Sequence, residues 1–144
     1  MPDANYPQDL LYHPEHDWAR IEMDGDPAHP NPAGDSPTHP EATLGITWYA
    51  QDLLGEIVFC EPPAVGTLLA QGQPYAEVES VKAVSDVVAP LSGEIVAVNE
   101  MLAEEPEKLN DDPYGEGWLV RIRLADPAER AELLDAAAYA ASLD

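Results

Sequence analysis

The chain has 144 residues, 45% of them hydrophobic, with 6 Lys+Arg against 28 Asp+Glu for a formal net charge of −22. That is the composition of one acidic globular domain, large enough to bury a core without metal or disulfide, and its charge argues against nucleic-acid or membrane-surface binding and for neutral or basic partners. The lone Cys60 excludes an internal disulfide and a thiolate zinc cluster; with no apolar stretch near the ~20 residues of a membrane helix and no signal-like start in MPDANYPQDL, the expected location is the cytoplasm.

Short β-like runs at Asp17 to Met23 and Ala42 to Trp48, the second with Leu44, Ile46 and Trp48 at period two, predict two strands able to pair as a hairpin. Between them, residues 24–40 hold 5 of the 15 prolines and nothing larger than His, so they predict a surface excursion. Tyr49 to Leu54 predicts one helical turn at most, stopped by Gly55. Apolar runs then recur every ten residues or so: Ile57 to Cys60, Thr67 to Leu69, Tyr75 to Val78, Val87 to Ala89 and Glu94 to Val98, separated by Pro- and Gly-rich turns. Such spacing predicts a small sandwich or barrel. Gly55-Glu56-Ile57-Val58 recurs as Gly93-Glu94-Ile95-Val96, which is either chance or the trace of two similar half-sheets.

Residues 99–117 have loop composition, and Trp118, Val120, Ile122 and Leu124 alternate as in a strand. Asp126-Pro127-Ala128-Glu129 reads as an N-cap, a first-position proline and a capping-box glutamate. It predicts a C-terminal helix over about 126–142, broken near Asp135.

Catalytic patterns are missing: there is no phosphate loop, nucleophile elbow, CxxC or HExxH, so no catalytic residue is assigned. His13 and His16 are separated by Pro14, which argues against a shared helical face and a metal site; His29 and His39 fall in the excursion. Cys60 reads as a small buried hydrophobe. Only two lysines exist, Lys82 and Lys108. Lys108 lies among glutamates, but Lys82 interrupts the β-branched run Val78 to Val88. By periodicity alone Lys82 is a strand residue on a solvent face.

Glu79-Ser80-Val81-Lys82-Ala83, then Ser85-Asp86-Val87, Ala89-Pro90-Leu91-Ser92-Gly93-Glu94-Ile95 and Asn99-Glu100, resembles the lipoyl-lysine segment of the glycine cleavage system H protein family. The likeness extends to His16-Asp17-Trp18, to Leu44-Gly45-Ile46-Thr47, to the block from Ala50 to Phe59, and to Asp112-Pro113-Tyr114-Gly115-Glu116-Gly117-Trp118. Two departures stand out: residues 24–40 read as an insertion, and Asp17 replaces the more usual glutamate.

The resemblance implies a mainly β fold, a flattened barrel-sandwich hybrid of two quasi-equivalent halves like biotinyl and lipoyl domains, with short helices and a C-terminal helix, in one domain over 1–144. It implies that the Val78 to Val88 run folds over at Lys82, which carries lipoic acid in amide linkage. It further implies a carrier, not an enzyme: glycine decarboxylase, with pyridoxal phosphate, passes an aminomethyl group to the lipoyl arm, aminomethyltransferase releases ammonia with tetrahydrofolate, and dihydrolipoyl dehydrogenase reoxidises the dithiol. A cationic cargo would gain from carboxylates in a sheltered groove, for which Asp17 and Asp86 are the candidates, with Glu15 behind them. Glu79, Ser80, Val81 and Ala83 surround the attachment lysine, and Glu79 with Asp86 would help a lipoate ligase or lipoyl transferase find it. A monomer is expected.

Rival readings are a relay of lipoyl groups to other enzymes, a lipoyl domain of a 2-oxo acid dehydrogenase, a biotin carrier, and an unmodified acidic binding module. Val81 and Ala83 beside Lys82 argue against biotin, whose carriers typically have methionines there.

Overall fold

The computed structural model describes residues 6–7, 9–22, 41–61, 63–125 and 127–143. Residues 24–40 and Asp126, on which the surface excursion and the N-cap were expected, lie outside the described residues. Two antiparallel sheets face one core. The larger contains β1 (Leu11–His13), β2 (Asp17–Glu22), β3 (Glu41–Ile46), β9 (Val120–Leu124), β8 (Gly93–Val98) and β5 (Leu68–Leu69), in that spatial order. The smaller contains β4 (Ile57–Glu61), β6 (Pro74–Ser80) and β7 (Val84–Val88), with β6 in the middle. The described strands do not close into a barrel.

Period-two patterning explains how the layers meet. Ala19, Leu44, Ile46, Ile57, Val78, Val87, Ile95 and Ile122 point from both sheets into one buried cluster. Ile57 and Ile95, the matched positions of the four-residue repeat, are both in it. Cys60 is buried there too, and burial pushes its thiol up to about 12. The opposite face of β2 carries Trp18, opposite Gly45 on β3, where a side chain would strike the indole at 2.6 Å. Trp18 belongs to a second, aromatic cluster with Tyr6, Tyr12 and Tyr139, the last stacked on Tyr12 at 4.8 Å between ring centroids.

Local expectations fail in three places, each for a physical reason. Trp48 is no strand residue: Thr47 accepts a hydrogen bond from the Ala50 amide, caps the chain, and starts α1 (Trp48–Leu54), which is longer than the single turn expected. Residues 99–117 include two one-turn helices, α2 (Met101–Glu104) and α3 (Lys108–Asp111), each anchored by one buried leucine, Leu102 and Leu109. The Val87 to Ala89 strand begins earlier, at Val84, because the chain has already turned back on itself.

The C-terminal helix is divided. Pro127–Glu132 is 3-10, Leu134 exchanges two backbone hydrogen bonds with Tyr12, and α4 (Ala136–Ser142) follows with Asp135 as its N-cap. The Glu129 carboxylate accepts hydrogen bonds from the Ser92 amide at 2.7 Å and the Ser92 hydroxyl at 2.8 Å, two donors from a distant turn.

Candidate functional site

The run from Val78 to Val88 folds over at residues 81–83, so that Glu79 pairs with Val84 and Glu77 with Asp86. Ser80 builds the turn. Its amide donates to the Ala83 carbonyl at 2.8 Å, and its hydroxyl oxygen accepts from the amides of Lys82 at 3.3 Å and Ala83 at 3.1 Å. The tip is tied down from outside as well, because the Val81 amide donates to the Glu56 carbonyl at 3.0 Å. Val81, Lys82, Ala83 and Val84 are all exposed. The Lys82 stem runs over Gly55, where an added Cβ would lie 3.5 Å from Lys82 Cε. Gly55 has φ +80° and ψ −152°, a conformation reserved for glycine, and so the chain can turn from α1 into β4 under the lysine.

A cleft of about 130 Å³ opens beside this hairpin. Ala50, Leu53 and Leu54 of α1 form one wall, and Val78 and Val87 form another. Acidic groups close it: Glu15, Asp17 and Asp86 all line the space. The three carboxylates considered together from the sequence are therefore together in space. Glu79, Ser80, Val81 and Ala83 are not in the cleft; they make up the turn and its approach.

Asp17 is the unusual member. It is 2% exposed, and its Oδ2 has no hydrogen-bond partner among the described residues. Burial, reinforced by Glu15, holds its carboxyl well above the usual carboxylate range, with the Val88 backbone pulling more weakly the other way. The Tyr75 hydroxyl is likewise buried and unpartnered, and is pushed upward by burial, then by Asp17, then by Cys60.

His16 is a cleft residue that sequence reasoning missed. Its backbone takes φ +76°, a left-handed conformation rare for a side-chain-bearing residue, and its Nδ1 shares a 2.8 Å hydrogen bond with the Tyr139 hydroxyl. That hydroxyl also meets Thr47 Oγ1 at 2.8 Å, which links the cleft to α4 and to the start of α1. Burial lowers the His16 pKa against an upward pull from Glu15. No sequence signal marks a positive φ at a histidine, although its place between Glu15 and Asp17 could have drawn attention.

An exposed primary amine on a braced hairpin, next to a narrow cleft with apolar walls and an acidic end, is the architecture of a carrier domain. A family model described as glycine cleavage H-protein matches residues 37–144. The chain is 49% identical to the glycine cleavage system H protein of Enterobacter sp. strain 638, over 98% of each chain, and 48% identical to that of Rubrobacter xylanophilus, over 98% of this chain and 97% of the relative. Its fold is similar to the crystal structure of a glycine cleavage system H protein from Mycobacterium marinum, with TM-score 0.77 and 36% identity over 95% of this chain and 98% of that one. The chain belongs to the glycine cleavage H-protein family. It is a lipoate-carrying component that works with the enzymes of the glycine cleavage system, and is not itself an enzyme.

Proposed function

We propose that Lys82 Nζ is the attachment point of the lipoyl group, in amide linkage, and that the cleft beside it shelters the end of the arm. The observation that carries this reading is the exposed Lys82 on a fixed turn, with a cleft at the hairpin's flank lined by Asp17, whose buried Oδ2 has no hydrogen-bond partner among the described residues. The residues present fit such a group: an apolar stem matches Leu53, Leu54, Val78 and Val87, and a cationic end matches Asp17, Asp86 and Glu15. When bound, the lipoyl group supplies a dithiolane that accepts a one-carbon unit together with two electrons.

The chain's own residues do the rest. Ser80 and the Glu56 carbonyl set the direction in which Lys82 leaves the surface. Burial raises the Asp17 carboxyl pKa and so favours its neutral form, and an entering cation favours the charged one, so that burying the charge is least costly as part of a pair. Asp86 and Glu15, nearer the solvent, draw the cation in. The apolar walls exclude water from the bond that needs protection. Tethering turns each delivery into a nearly intramolecular event at the partner's site.

The partners in this reading are glycine decarboxylase with pyridoxal phosphate, aminomethyltransferase with tetrahydrofolate, dihydrolipoyl dehydrogenase, and a lipoate ligase or lipoyl transferase that loads Lys82. The compartment is the cytoplasm, and the working form is a monomer. Intact mass of protein produced in cells supplied with lipoate tests the assignment against Lys82→Arg. One lipoyl increment is expected in the first and none in the second. An increment that survives Lys82→Arg, or is absent from both, overturns it.

A further inference from the structure

Asn110, at the heart of α3, spends its side-chain amide on a single strap of chain. Its Oδ1 accepts from the Ile57 amide at 2.9 Å, and its Nδ2 donates to the Gly55 carbonyl at 2.8 Å and to Gln51 Oε1 at 3.0 Å. Gly55 and Ile57 flank Glu56, whose carbonyl receives the Val81 amide from the lysine turn. One carboxamide therefore fixes both peptide groups that flank the Glu56 Cα, one of which bears the carbonyl that holds the tip. Gln51 closes the other side: it is 8% exposed on α1, and its Nε2 donates to the Trp48 carbonyl at 2.9 Å. Gly55 also lies beneath the Lys82 stem.

From this connectivity we infer that Asn110 is a positioning residue for Lys82: it locks the Gly55–Ile57 strap, and through the Glu56 carbonyl sets where the lysine turn stands relative to the α1 wall of the cleft. Asn110 touches neither Lys82 nor the cleft, and acts only through the strap. A side chain that can accept one and donate two hydrogen bonds is what this place needs, since the strap offers one amide and one carbonyl and Gln51 beside it a second acceptor oxygen. Aspartate could satisfy the Ile57 amide alone, and alanine nothing.

The consequence for modification rests on the reading of Lys82 as the acceptor. There lipoate and ATP form the lipoyl adenylate with release of pyrophosphate, and the amine then loses a proton and forms an amide with the carboxyl carbon as the carbon–oxygen bond to AMP breaks and AMP leaves. A tip that samples other positions presents the competent one for a smaller fraction of the time, which raises the apparent KM for the carrier and leaves the chemical step alone.

The experiment compares wild type, Asn110→Ala and Asn99→Ala, all unmodified and full length. Asn99 is a control of similar kind, its Nδ2 donating to the Glu116 and Trp118 carbonyls away from the lysine turn. Hydrogen exchange at the Val81 amide and steady-state loading by lipoate ligase with lipoate and ATP are the two readouts. In Asn110→Ala, Val81 should exchange about fivefold faster and KM should rise by about the same factor, the scale of one net hydrogen bond, with kcat within about twofold. Asn99→Ala should lower the melting temperature without moving either readout. Unchanged Val81 exchange in folded Asn110→Ala overturns the proposal, as does an equal change in Asn99→Ala. If Asn110→Ala does not fold, Asn110→Asp takes its place, with the same direction and the same outcomes. Should no protein accept lipoate, wild type included, the Lys82 assignment fails, and Val81 exchange alone decides the role of Asn110.

Discussion

A carboxyl with one oxygen bare of partners at 2% exposure costs stability whenever it is ionised, and Asp17 is in that position. Its pKa in the folded protein is raised by burial and by Glu15, whereas in the unfolded chain it returns to about 3.9. Between those two values the folded state holds a proton that the unfolded state has lost. Stability from this group is thus full below the unfolded pKa and falls as pH rises through the folded one. Asp17→Asn removes the titration. Relative to wild type the variant should gain stability as pH goes from 5 to 8, by about 1 kcal/mol or more at the upper end, on the scale of a buried polar group left unpaired. Urea unfolding at both pH values checks it, and a pH-independent difference would show that Asp17 is ionised throughout. His16 and His13 act in the opposite sense. Burial lowers both, so they weaken the fold as pH falls below about 6.5, and the two effects bracket the neutral range.

At the scale of elements, the β6–β7 hairpin depends on a joint it does not contain, the glycine at the end of α1. Gly55→Ala forces a Cβ into φ +80°, ψ −152°, and sets it 3.5 Å from the Lys82 stem. A destabilisation of about 1–3 kcal/mol is expected from the backbone alone, with a lower melting temperature and slower lipoylation. A variant as stable and as readily loaded as wild type would remove Gly55 from the account of the site. This joint also shows what was legible beforehand. Gly55 as a helix stop and the strand runs on either side follow from local chemistry. The reversal at Lys82 does not, because Val78 to Val88 is β-branched on both sides of the lysine and the turn is made by a serine hydroxyl, without an Asn-Gly signal. Only the family resemblance implied it. The one-turn helices α2 and α3 are too short to show a period, and the bond of Glu129 to Ser92 joins residues 37 apart in the chain, which no local pattern signals. Asp17, Asp86 and Glu15 were reached only through the cationic cargo that the family resemblance implied, whereas the α1 wall that makes them a cleft, and His16 within it, needed tertiary packing.

For the molecule as a whole the dominant quantity is charge: −22 on 144 residues, with 6 cationic side chains to offset 28 acidic ones. Like charges held at the surface repel in the compact state more than in the expanded one, so the fold carries a self-repulsion that salt screens. Moving from about 10 mM to about 150 mM salt shortens the Debye length from roughly 30 Å to roughly 8 Å, well below the diameter of a domain this size. The melting temperature should rise by a few degrees, corresponding to about 1 kcal/mol. The same screening should weaken the field that steers a basic partner surface toward the Lys82 face, where Glu79, Glu77 and Asp86 stand on the hairpin and no cation but Lys82 itself is present on β6, β7 or the turn between them. Association rates with each partner enzyme should therefore fall over the salt range that stabilises the carrier. Calorimetry and stopped-flow binding on one salt series measure both, and a melting temperature that falls while association is unchanged would mean that the acidic surface is neutralised locally and neither strains the fold nor guides its encounters.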